Sequence, residues 1–69
     1  MDKRVEIGNN IKELVRTSKK KKNQIAFELD ISEPQLYVYM RGQSVPGGLM
    51  IIELCRVLNC TYEEILGKP

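Results

Sequence analysis

The sequence predicts an all-α fold, five short helices packed as one compact domain. Three observations carry that expectation. Apolar residues recur at helical spacing along most of the 69-residue chain. The chain is 42% hydrophobic with one Phe, three Tyr and no Trp, so the core must be built mainly from Ile, Leu, Val and Met. Capping residues and Gly or Asn stops bracket the apolar segments, and none of those segments needs a strand. A chain of this length makes a single domain, residues 1–69, near the size at which one core only just outweighs chain entropy.

From Val5 onward the apolar residues Ile7, Ile11, Leu14 and Val15 have the i, i+4, i+7, i+8 spacing of a helix with one buried face, and this first helix ends near Thr17. A second, short helix over Gln24 to Leu29 buries Ile25, Ala26 and Leu29. It begins within or just after the run Lys19 to Lys22 and stops near Asp30, a residue that tolerates left-handed turn geometry. In ISEPQLYVYMRG, Ser32 caps a third helix and Gln35 is spaced to return the bond as a capping box. Pro34 falls in the first turn, where its missing N–H costs little. Leu36, Tyr39 and Met40 face inward, and Gly42 ends the helix. After the loop QSVPGG, Leu49 to Leu58 forms a fourth helix whose buried face holds Ile51, Ile52, Leu54, Cys55 and Leu58, with Asn59 as its left-handed end. Thr61 and Glu64 then make a capping box for a fifth helix, Tyr62 to Leu66, closed by Gly67.

Composition narrows the function. No apolar run approaches the roughly 20 residues that span a bilayer, and MDKRVE lacks the apolar stretch of a signal peptide, so a cytoplasmic protein without a membrane partner is expected. There is no histidine to act as a neutral-pH base or to complete a zinc site. Cys55 and Cys60, five apart, read as small apolar core residues. No enzyme activity, metal, cofactor or small-molecule ligand is expected.

The net charge of +2 hides an asymmetry. Residues 1–22 hold eight Lys or Arg against three Asp or Glu, and residues 23–69 hold three against six. A local positive field of this kind attracts polyanions.

Residues 22–41 then carry the functional signal. Ala26 sits inside the second helix, Asp30 and Ile31 form a tight turn, and Leu36 lies in the third helix, with Ile25, Leu29 and Tyr39 around them. Two short helices can cross closely and steeply there, the geometry of a helix-turn-helix unit. With IGNNIKEL in the first helix, IAFELDIS through the turn, YMRGQSVP after the third helix and LCRVLNCTYEEILG at the end, the chain resembles the lambda repressor/Cro-type family, also called XRE, from about Ile7 to Gly67.

That resemblance implies a bacterial or phage protein that binds double-stranded DNA, the third helix lying in the major groove, commonly as a homodimer on a two-fold operator. Base reading then falls to Glu33, Pro34, Tyr37 and Val38. Glu33 can accept from cytosine N4, and Val38 can pack against a thymine methyl. Ser32 and Gln35 are placed for phosphate, and Arg41, Gln43 and Ser44 for the backbone contacts the family makes after this helix.

The sequence also departs from the family pattern. Val15 and Met40 stand where the family often has a buried Arg–Glu pair, and they are expected to touch. Exchanging both partners for apolar residues can be neutral or stabilising, whereas losing one costs roughly 3–5 kcal/mol. Lys22 replaces a Gln that characteristically bonds a phosphate, and a pair between Lys22 and Glu33 is expected beside that phosphate. Lys21 replaces a Ser or Thr cap, and Lys20 replaces an apolar residue.

The lysine run is therefore read as an anion-binding lip, with Lys22 its specific member and Lys19 to Lys21 supplying field; for Lys19 and Lys20 a solvated loop is the plainer reading. Leu49, Met50 and Tyr62 are candidates for a dimer interface, although Leu49 and Met50 could instead complete the core. The function expected is that of a sequence-specific DNA-binding transcriptional regulator, a small repressor that binds operator DNA through the third helix. The alternative is an antitoxin or protein-interaction adaptor on the same fold, favoured by the negative charge of Glu33 and Asp30. With no room for a sensing domain, control would come from concentration, competition or a partner.

Overall fold

The computed structural model describes residues 2–67. Five helices follow in order: α1 (Lys3–Thr17), α2 (Lys22–Leu29), α3 (Glu33–Met40), α4 (Gly48–Leu58) and α5 (Tyr62–Leu66). α1 packs on α3 and α5, and α4 packs on α2 and α5. Each helix contributes one fully enclosed side chain to the centre: Ile11, Ile25, Leu36, Leu54 and Ile65. Burying each is worth about 1.5–3 kcal/mol, so no helix holds its place by propensity alone.

The ends are set by local chemistry. Asp2 starts α1 by accepting from the Arg4 N–H at 2.9 Å. The Ser32 hydroxyl accepts from the Gln35 N–H at 3.2 Å, but the return bond from Gln35 is not formed. The complete capping box is the one at Thr61 and Glu64, where a carboxylate supplies the stronger acceptor. Asp30 adopts φ +59° after α2, and the Ile31 N–H reaches the Ala26 carbonyl at 3.0 Å. That closes the turn and aims α3.

α4 differs from expectation on one side. Ile52 is 48% exposed, and Val57 takes the buried place. Val57 follows Leu54 by three residues on the inner stripe, whereas Ile52 lies off it. Asn59 ends the helix at φ +54°, and the Cys60 N–H bonds the Cys55 carbonyl at 3.0 Å. The two cysteines are free thiols, half-buried against the core. Burial, with Cys55 beside it, pushes the Cys60 thiol up to about 12.

Gly8 and Gly42 fix α1 against the end of α3. A Cβ at Gly8 would stand 2.6 Å from the Gly42 backbone nitrogen, and Gly42 itself has φ +73°. Only residues without a side chain allow this approach. Val15 and Met40 are both buried in the same core cluster, at the floor of a cleft between α1 and α3. Among the described residues no helix is long and apolar enough to cross a membrane.

Candidate nucleic-acid interface

The four lysines occupy four different environments. Lys19 has φ +68°, a left-handed conformation unusual for a side-chain-bearing residue. Ser18 ties this turn together: its hydroxyl donates to the Val15 carbonyl at 2.8 Å and accepts from the Lys20 N–H at 3.2 Å.

Lys20 is half-buried and is not a free charge. Its ammonium donates to Glu28 at 2.9 Å and to the Val57 carbonyl at 3.0 Å. Val57 lies in the last turn of α4, where carbonyls lack helical partners and the helix dipole is negative. The aliphatic stem can cover apolar surface while the ammonium finds these acceptors. The hydrogen bond from Lys20 holds the Glu28 carboxyl below its ordinary value of 4.5 against the effect of burial, helped by the Gln24 amide. This pin corrects the reading of Lys20 as field or loop.

Lys21 is the N-cap of α2 and makes no side-chain capping bond, and the first turn holds no acidic residue. The unpaired N–H groups there, beside Lys21 and Lys22, suit an anion. Lys22 does not pair with Glu33; its ammonium lies over the Tyr37 ring, 5.5 Å from the centroid. Arg41 lies over the same ring at 5.9 Å. A half-buried aromatic face competes well for a cation at this range, which accounts for the correction.

On α3, Glu33 and Pro34 are exposed, whereas Tyr37, Val38 and Gln35 are half-buried. The Ser32 hydroxyl is engaged in its cap, and Arg41 closes the helix from an exposed position. Gln43 and Ser44 are exposed in the following loop. Lys21, Lys22, Glu33, Tyr37 and Arg41 line one open cleft of about 890 Å³. Its opposite wall is α1, through Asn9, Lys12 and Arg16. The sequence reading missed that wall, although positions 9, 12 and 16 have the i, i+3, i+7 spacing of one helix face.

Away from the cleft, Leu49 is 82% and Tyr62 54% exposed, while Met50 is half-buried against the core. Phe27, the sole phenylalanine, is 84% exposed on α2 and was not singled out by its sequence pattern.

The helix-turn-helix family model matches residues 11–65, most of the chain. The protein belongs to the helix-turn-helix family of the lambda repressor/Cro, or XRE, type, a family of DNA-binding regulators. Comparisons with curated proteins and with solved structures give no match.

Proposed function

We propose that this protein is a sequence-specific transcriptional regulator, a small repressor that binds operator duplex as a homodimer. The observation that carries the proposal is the placement of the uncapped, cationic start of α2 beside exposed Glu33 at the start of α3, across a turn of residues 30–32. In this reading α3 enters the major groove. Glu33, Pro34, Tyr37 and Val38 face base edges, Glu33 accepting from cytosine N4 and Val38 meeting a thymine methyl. Lys21, Lys22, Ser32, Gln35, Arg41, Gln43 and Ser44 hold phosphates and set register. Tyr37 also orders the two cations over its ring.

Leu49 and Tyr62, with Met50 beneath, supply the dimer contact, and Ile52 extends that face of α4. Pairing two copies would set the spacing of two operator half-sites. The protein would act in the cytoplasm, on DNA, as one domain.

Selection of bound sequences from random duplex DNA tests the proposal. Enrichment of one two-fold symmetric site is expected; binding without any enriched sequence would refute sequence-specific regulation. The adaptor reading has one observation in its favour, the open Phe27 ring on α2. A protein partner lost in Phe27→Ser, with no DNA site selected by the unaltered protein, would support it.

A further inference from the structure

We propose that the cleft between α1 and the helix-turn-helix seats the sugar–phosphate backbone of one DNA strand, with Lys12 and Arg16 of α1 as additional phosphate contacts. The inference rests on the DNA-binding reading and extends its footprint to a helix outside the helix-turn-helix. The cleft is lined by six cations and one carboxylate, in a chain whose total charge is +2. Its charge complements a polyanion.

The cations are not equivalent. Lys20 is held by Glu28 and the Val57 carbonyl, and Arg16 is bridged to Glu13 at 2.7 Å. Lys12 makes no ion pair among the described residues. The floor is formed by Val15 and Met40, so it offers no carboxylate to neutralise the rim. Lys22 and Arg41 border the same space, and a strand held there continues past Lys12 and Arg16 without leaving the surface. The ammonium of Lys12, unpaired among the described residues, is the stronger contact; Arg16 must share its guanidinium with Glu13.

The test is the salt dependence of binding to a random-sequence duplex, followed by fluorescence anisotropy between roughly 50 and 200 mM salt. The unaltered protein is compared with Lys12→Gln, Arg16→Gln, the double variant and Lys3→Gln. Lys3 pairs with Glu6 outside the cleft and serves as the control. Circular dichroism checks that each variant retains its helices. Each lost phosphate contact should make the plot of log affinity against log salt shallower by about 0.9, so the double variant should lose about 1.8. Lys3→Gln should leave the slope unchanged, and the ranking of DNA sequences should be the same for all. A double variant with the slope of the unaltered protein overturns the α1 contacts and leaves the DNA-binding reading standing. An unaltered protein that binds no duplex overturns both.

Discussion

The Lys22 ammonium lies 5.5 Å from the centroid of the Tyr37 ring, joining the start of α2 to the middle of α3. Arg41 shares that ring, so one aromatic side chain orders two cations at the edge of the cleft. Exposed cation–π contacts are worth about 0.5–1 kcal/mol each, too little to decide the fold. Their effect should therefore appear in binding. Lys22→Gln should make the salt slope of duplex binding shallower by about 0.9, Tyr37→Leu should weaken binding, and Tyr37→Phe should change it least. Anisotropy titrations across salt separate these outcomes.

Lys19 occupies a left-handed conformation at φ +68°. That conformation costs a side-chain-bearing residue roughly 1–2 kcal/mol. Glycine removes the clash but returns about 0.4–1 kcal/mol through the greater freedom of the unfolded chain. Lys19→Gly should therefore stabilise the protein by up to about 1.6 kcal/mol, measured by urea unfolding. Since Lys19 does not line the cleft, its replacement should reduce DNA affinity less than Lys22→Gln.

The Lys20–Glu28 pin should make stability sensitive to acid. The folded Glu28 carboxyl is held below 4.5, principally by the Lys20 hydrogen bond, so its contribution is complete above that value and lost as pH falls through the folded one. Lys20→Met should melt at a lower temperature at neutral pH and show a flatter decline in acid. Asp2, Glu13 and Glu53 are also lowered by neighbouring arginines, so some acid sensitivity should persist in the variant. Thermal melts from neutral pH to below 4 check both effects.

Cys60 should act at the other end of the scale. Its thiol is pushed from 9.0 up to about 12, first by burial and then by Cys55. Between those values the unfolded chain loses the proton while the folded chain keeps it, so stability should fall as pH rises. Cys60→Ala should flatten that fall in urea titrations repeated at successive alkaline pH values.

Gly8→Ala should destabilise the protein by about 1–3 kcal/mol through overpacking. The added Cβ meets the Gly42 backbone at 2.6 Å, and backbone atoms cannot swing aside as a flexible side chain can. The change should also disturb the end of α3. Urea unfolding and duplex binding on the same sample measure the two effects.

The five helices were legible because their periodicity and end signals agree. Ile11, Ile25, Leu36 and Leu54 fall on the expected inner stripes, and Asp30 and Asn59 supply the left-handed ends. Ile52 was misjudged because α4 is apolar beyond its inner stripe, so hydrophobicity alone did not locate the buried face. The four adjacent lysines were harder to resolve. Their sequence is uniform, but Lys19 fits a turn, Lys20 reaches the end of α4, Lys21 starts α2 and Lys22 meets Tyr37. Those differences depend on groups up to 37 residues away and on the direction of each side chain. The α1 wall was not legible because the polar i, i+3, i+7 series of Asn9, Lys12 and Arg16 is equally that of any solvated helix face, and only the packing of α1 against α3 turns it toward the cleft.

The central claim is that α3 selects a DNA sequence. Its most direct measurement is selection from random duplex DNA by the unaltered protein and by Glu33→Gln in parallel. The unaltered protein should enrich a two-fold symmetric site, and Glu33→Gln should alter base preference at symmetric positions, since an amide offers a donor that the carboxylate lacks. Failure of the unaltered protein to enrich any sequence, or an identical site from both proteins, would contradict base reading by Glu33; the former would also contradict sequence selection by α3.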